Sequence, residues 1–374
     1  MKIFEDRLGS VESLRETVAQ ALEWEGTQSL FMLVCDGNGY TPELIDPLLN
    51  ELDVPVFGGV FPMVTRGTEQ LSKGNLVVAL SERAVVYRVP GTDDPEADFE
   101  EMLDELVGDE DEFGTLMVFT DGLSCGNTRF VDALYNIFGL EVNYVGGGAG
   151  ALSLKRVPCV ISNEGLQLDT AVCAGFRMRS GVGVCHGWTT IDGPFQVTES
   201  EGNTIKSLDW RPAFEVYREV VEAHSNTQFI SVPFFDIAKA YPFGIAKMGA
   251  ERIVRDPVTL DGDRNIICVV DVPQGVSVDI MHGDDDSLIQ AAHGALKKAQ
   301  ANFPDDASPN LALVMDCLSR VLFLDEKFGD ELKTMVPENI ECVGACSLGE
   351  IANSGKDYLE LYNKTAVAAL LEDA

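Results

Sequence analysis

Positive charge is what this sequence has least of. It carries 27 lysines and arginines against 61 aspartates and glutamates, a net charge of −34. A surface so acidic repels phosphate backbones, so nucleic-acid binding would need a local basic patch. The longest basic run is Lys297-Lys298. Anionic membrane surfaces are disfavoured on the same ground. No window comes near the ~20 consecutive apolar residues that a membrane helix needs. The opening Met1-Lys2-Ile3-Phe4-Glu5-Asp6 lacks the apolar core of a secretion signal. Histidine is scarce, at four residues in 374. The nine cysteines are odd in number and sit mostly in apolar, strand-like runs, as at Cys35, Cys173, Cys268 and Cys317. That is the pattern of reduced, buried thiols. These features together predict a cytoplasmic protein that binds neither nucleic acid nor membrane.

What is present is ordinary globular composition, 45% hydrophobic and 24% charged, and an internal repeat. Three segments share one order. Phe31-Met32-Leu33-Val34-Cys35-Asp36 leads through a helix-like stretch from Pro42 to Leu52 into Val54-Pro55-Val56-Phe57-Gly58-Gly59-Val60. Leu116-Met117-Val118-Phe119-Thr120-Asp121 leads through a helix from Thr128 to Phe138 into Val142-Asn143-Tyr144-Val145 and Gly146-Gly147-Gly148-Ala149-Gly150. Leu311-Ala312-Leu313-Val314-Met315-Asp316 leads through a helix around Glu326 to Met335 into Ile340-Glu341-Cys342-Val343-Gly344-Ala345-Cys346. Each predicts a strand ending in aspartate, a right-handed crossover helix and a second strand ending in small residues. The continuous apolar runs suit strands covered on both faces.

Each repeat is followed by two more strand-like runs that read as a hairpin. These are 76–80 with 84–89, 159–162 with 170–176, and 358–362 with 365–371. A different block separates the second repeat from the third. It has a helix near Arg211 to His224, short strands at 252–255, 265–270 and 276–280, and a helix opened by Asp285-Asp286-Ser287. The fold expected is mixed α/β: repeated βαβ-plus-hairpin units forming mixed sheets flanked by helices, in two halves.

The order of several short motifs resembles the FIST family. These are the glycine run 146–150 after Asp121-Gly122, then Ala240-Tyr241-Pro242-Phe243-Gly244, Ile253-Val254-Arg255 and Asp271-Val272-Pro273-Gln274-Gly275. Ser347-Leu348-Gly349-Glu350-Ile351 and Tyr362-Asn363-Lys364-Thr365 close the series. The resemblance implies a FIST N-like domain over 1–205 and a FIST C-like domain over 206–374. It implies a cytoplasmic sensory protein that binds small ligands, amino acids among them, and signals through a separate partner protein. It implies no cofactor.

Candidate ligand contacts follow from the residues. The glycines Gly146, Gly147 and Gly148 would let a backbone approach an anion; the bland alternative is a tight strand exit. Asp36, Asp121 and Asp316 would face a ligand at strand carboxyl ends, or would be Asx turns and helix caps. Asp121 is favoured among them because the glycine run follows it. Glu350, beside Ser347 and Gly349, would accept from a ligand ammonium. Arg255 would fork onto a carboxylate, unless it forms a structural ion pair. Asn363 completes the set, with a hairpin turn as its plain reading. No metal site is expected, because the Cys342–Cys346 and Cys185-His186 spacings do not match paired ligands. A second reading is an enzyme using Cys346, with His186 or His282 as base, or a carboxylate pair. A third is a scaffold for protein partners.

Overall fold

The computed structural model describes residues 1–108, 112–246, 252–353 and 358–373. The chain is mixed α/β and folds as three repeated units with one inserted block. Unit 1 runs β1 (Lys2–Asp6), α1 (Val11–Glu23), β2 (Ser29–Cys35), α2 (Pro42–Leu49), β3 (Val56–Phe61), β4 (Val64–Arg66), β5 (Glu69–Leu71) and β6 (Asn75–Leu80). Unit 2 repeats this as β7 (Val85–Pro90), α3 (Phe99–Leu106), β8 (Thr115–Asp121), α4 (Asn127–Phe138), β9 (Asn143–Ala149), β10 (Val160–Ser162), β11 (Gly165–Gln167) and β12 (Thr170–Phe176). Unit 3 opens with β13 (Ser180–Cys185) and then takes the insert.

The insert comprises β14 (Thr189–Glu201), β15 (Thr204–Leu208), β16 (Arg211–Pro212), α5 (Ala213–Ser225), α6 (Phe234–Ala238), β17 (Phe243–Ile245), β18 (Ile253–Arg255), β19 (Pro257–Leu260), β20 (Ile266–Cys268) and β21 (Ser277–His282). Residues 205 and 206, where the two halves were expected to meet, lie within β15. Unit 3 resumes as α7 (Asp285–Asn302), β22 (Pro309–Cys317), α8 (Leu318–Leu324), α9 (Phe328–Met335), β23 (Glu341–Ser347), β24 (Glu350–Ala352), β25 (Glu360–Tyr362) and β26 (Ala366–Glu372). The third crossover is thus two helices rather than the single one expected around Glu326.

Three six-stranded sheets have one topology: β1-β6-β2-β3-β10-β11, β7-β12-β8-β9-β24-β25 and β13-β26-β22-β23-β4-β5. The central pair of each is parallel, β2 with β3, β8 with β9 and β22 with β23. The last two strands of every sheet are a hairpin donated by another unit. Unit 2 gives β10–β11 to the first sheet, unit 3 gives β24–β25 to the second, and unit 1 gives β4–β5 to the third. The exchange is cyclic, so each unit completes another's sheet.

This corrects the three expected hairpins. β6 pairs with β1 and β2, whereas β7 pairs with β12. β10 pairs with β3 and β11, whereas β12 pairs with β7 and β8. β25 pairs with β24, whereas β26 pairs with β13 and β22. Each pair of adjacent runs parts into two sheets. Fully apolar runs show that a strand is buried, not what it pairs with. The link at 81–84, Ser-Glu-Arg-Ala, also lacks the Asn-Gly type of dipeptide that makes a two-residue hairpin.

Equivalent glycines set the phase of the repeat. Gly58, Gly146 and Gly344 lie opposite Met32, Val118 and Val314. A Cβ there would fall 2.0, 1.8 and 2.5 Å from the facing carbonyl oxygen. Counted from those partners, Asp36, Asp121 and Asp316 come four, three and two residues later. The three aspartates expected to be equivalent are therefore staggered. A one-residue step turns a strand side chain to the other face, so Asp121 and Asp316 point to opposite sides of their sheets.

The main core draws on all three units. Phe31 stacks on Phe57 and on Phe119, at 5.3 Å between ring centroids in each case. The insert has its own core, built on Phe214, Tyr217 and Phe243 under α5 and β17.

Candidate functional site

The glycines Gly146 to Gly148 lie inside β9, and the backbone that approaches them is the chain's own. Gly148 N–H donates to the Gly349 carbonyl, and Leu348 N–H to the Gly148 carbonyl, both at 2.8 Å. Strand pairing sets Glu350 opposite Gly147. A Cβ at Gly147 would lie 2.7 Å from the Gly349 oxygen and 2.9 Å from Ser347 Cβ. The run expected to admit an anion admits the segment 347–350 instead. It thereby brings Ser347, Gly349 and Glu350 together.

Glu350 is fully buried. Ser347 Oγ donates to its Oε1 at 2.7 Å, and its Oε2 has no hydrogen-bond partner among the described residues. Burial pushes its pKa up to about 8, against the hydrogen bond from Ser347 and the charge of Arg320. Asp316 is held well above the carboxylate range by burial and by Glu331, with Arg320 opposing the rise. Arg320 Nε lies 3.1 Å from Asp316 Oδ1, and its Nη2 lies 2.6 Å from Glu331 Oε2. Its other donors go to the carbonyls of His186 and Leu288. Asn363 sits beside Gly349 with a buried Oδ1 that has no hydrogen-bond partner among the described residues.

Units 1 and 2 act as internal controls. By register, Val64 opposite Ala345 and Val160 opposite Gly59 hold the place that Glu350 holds opposite Gly147. Val34 and Thr120 stand two residues past Met32 and Val118, as Asp316 stands past Val314. All are buried. The architecture accepts valine at both places. Burying a carboxyl costs more than burying an aliphatic side chain, so the sheet topology by itself does not require an acid at either place.

Beside this cluster lies a cavity of about 330 Å³ at the carboxyl end of β8. Its walls are the β8–α4 loop from Gly122 to Cys125, the first α4 residues Asn127 and Thr128, the insert residues Asn203 and Val269 to Asp271, and Leu348 and Leu361 around the β24–β25 hairpin. Helix α4 opens into it with Gly126 as N-cap and no side-chain cap. Its first amides are therefore available to an anion. Asp271 is exposed and lines the same cavity. Desolvation lifts its pKa, and the guanidiniums of Arg255 and of Arg129, in the first turn of α4, oppose the lift. Cys125, the exposed one of the nine cysteines, also lines the cavity.

Arg255 braces this wall. It is 5% exposed and donates to the carbonyls of Asp271 at 2.9 Å, Val254 at 3.1 Å and Leu361 at 3.2 Å. Burial lowers its pKa to about 10. It ties the insert to β25 and forms no pair with Glu350. Asp121 stands apart from the Glu350 cluster. Its carboxylate accepts from Leu123 N–H at 3.1 Å and from Arg156 at 3.2 Å. Asp36 accepts from Leu152 N–H at 2.7 Å.

Cys346 is fully buried, and burial drives its thiol far above the ordinary range. Such burial disfavours the thiolate that a nucleophile needs. His186 accepts from Trp188 N–H, and His282 packs against His224 at 4.8 Å. Among the described residues, no group of three or more His, Cys, Asp or Glu is placed to hold a metal ion. No described helix is long and apolar enough to cross a membrane.

Arg320, Glu331 and Asp256 escaped the sequence reading, and Lys364, quoted there only within a motif, forms a fully buried pair with Asp256 at 3.2 Å. The signal was a charged residue set in an apolar context, as Arg320 is in Leu318-Ser319-Arg320-Val321-Leu322. Its partner Glu331 lies eleven residues on, on another helix.

Comparison with family models finds the FIST N domain over residues 63–211 and the FIST C domain over 213–353. FIST domains are sensory domains, generally thought to bind small ligands in signalling. No curated protein matches the chain.

Proposed function

The chain belongs to the FIST family, and on that premise we propose that it is a cytoplasmic sensor. Its ligand is a zwitterion of amino-acid type, seated in the cavity between α4, the insert and the β24–β25 hairpin. The observation that carries this reading is the pairing of opposite electrostatics across one small space. The uncapped first turn of α4 lines the same cavity as Asp271. A ligand carboxylate at the helix end gains roughly 0.3–1 kcal/mol from the dipole, beyond its hydrogen bonds. A ligand ammonium pairs with Asp271. Val269, Val270, Leu348 and Leu361 leave an apolar wall for the side chain. A zwitterion also suits a chain of net charge −34, because it has no net charge to be repelled.

The same geometry supports a signalling role. The cavity is walled by unit 2, by the insert and by the hairpin that unit 3 donates. An occupied cavity favours the arrangement in which all three are drawn together. A signalling protein acting in trans would read that arrangement.

Isothermal titration of the full chain against the common amino acids is the test. Saturable heat with at least one of them is expected. Asp271→Asn should weaken it about tenfold, near 1.4 kcal/mol. The bound ligand should also slow alkylation of Cys125. No heat and no thermal stabilisation at millimolar ligand would sink the proposal.

A further inference from the structure

A second cavity, of about 390 Å³, lies wholly within the insert. Its floor is aromatic. Phe214 meets Phe229 at 5.4 Å, and Phe229 stacks on Phe234 at 5.5 Å with 23° between the rings. Leu260 adds to the wall, and Ile230, 91% exposed, stands at the mouth.

Two arginines line the same space. The Arg264 guanidinium lies 4.5 Å from the centre of the Phe214 ring, and that of Arg218 lies 6.0 Å from it. Neither forms an ion pair with a described residue. This is unusual in a chain with 61 acids, and Arg211, interacting with the same helix, is paired with Glu219 at 2.6 Å. The one acid in the lining, Glu222, already accepts from Phe229 N–H at 2.9 Å. Arg264 also holds its position at a cost. Its φ is +65°, in the left-handed region that a side chain disfavours.

We propose that this cavity binds a small aromatic carboxylate, whose ring packs on Phe229 and Phe234 while its carboxylate is forked between Arg218 and Arg264. Stacking on an aromatic floor selects a flat apolar body. Two guanidiniums select an anion through charge-assisted, two-donor hydrogen bonds. Their positive charge supplies the local attraction that an anion needs against the field of the whole chain. The site is separate from the zwitterion cavity and shares none of its lining residues.

The test is titration of the full chain with phenylacetate, benzoate and phenylpropionate, and with phenylacetamide as the uncharged isostere. At least one carboxylate should bind at one per chain, and phenylacetamide should bind at least about tenfold more weakly than phenylacetate. The double variant Arg218→Gln, Arg264→Gln should lose the carboxylate while its near-ultraviolet circular dichroism stays that of the parent. Asp271→Asn should leave carboxylate binding unchanged, which separates this site from the zwitterion cavity. Equal binding of acid and amide, retention in the double variant, or no saturable binding by any of the three acids would overturn the proposal.

Discussion

Glu350 is a carboxyl where two equivalent strands carry valine, and its protonation makes stability depend on pH. Its pKa is about 8 in the fold, against about 4.3 in an unfolded chain. The fold therefore keeps a proton that the unfolded chain releases. That contribution is fully present below the unfolded value and is lost as pH rises through about 8. Asp316 is shifted in the same direction by burial and Glu331, and adds to the slope. Thermal melts taken from about pH 5 to pH 9 should show a falling midpoint. Glu350→Gln, which keeps the shape but cannot ionise, should flatten the fall. A slope as steep as the parent's would mean that the shift belongs elsewhere. Arg320→Met should cost about 3–5 kcal/mol in denaturant unfolding, because Asp316 and Glu331 would keep their burial and lose their cation. Asp316 was legible in the sequence as an acid ending a strand, and Glu350 as the acid beside Gly349. Arg320 and Glu331 were not, because only the packing of α8 and α9 on β22 brings them there.

At the scale of the element, the repeat was visible as strand, helix and strand, and the structure has these three times over. Its phase was not visible. Aspartate was the conspicuous residue in each copy, yet the close approach of β3, β9 and β23 to the neighbouring carbonyls ties the copies at glycine. Gly146→Ala would set a Cβ 1.8 Å from the Val118 oxygen. A backbone clash of that kind should cost at least about 1–3 kcal/mol. Gly262→Ala meets nothing within 4 Å and should stay within about 0.5 kcal/mol of the parent. Denaturant midpoints of the two variants check the contrast. Similar values would show that the strand pair relaxes more easily than its spacing implies.

At the scale of the molecule, the exchanged hairpins join the three units through shared sheets. The family division at residues 211 and 213 falls inside the insert, between β16 and α5. A fragment of residues 1–211 keeps β4–β5 without its partner β23, and keeps β9 without β24. It leaves strand edges bare and should fail to fold alone. Its amide proton spectrum should collapse to the narrow dispersion of an unfolded chain, and a well-dispersed spectrum would refute cyclic dependence. The charge of −34 acts on the same scale. Self-repulsion weakens the compact state, and salt screens it over a Debye length of about 10 Å at 0.1 M. The melting midpoint should rise as sodium chloride is added.

The sequence by itself determined the class of fold, the three strand–helix–strand copies, the acidic surface and the acids at positions 316 and 350. Each of these is written in local periodicity or in composition. Tertiary structure alone decided which strands pair, which side of a sheet each aspartate faces, and what fills the glycine run. It also showed that Arg255 braces a wall. Pairing and facing depend on segments far apart in the chain. A buried apolar run has the same pattern whichever neighbour completes its sheet.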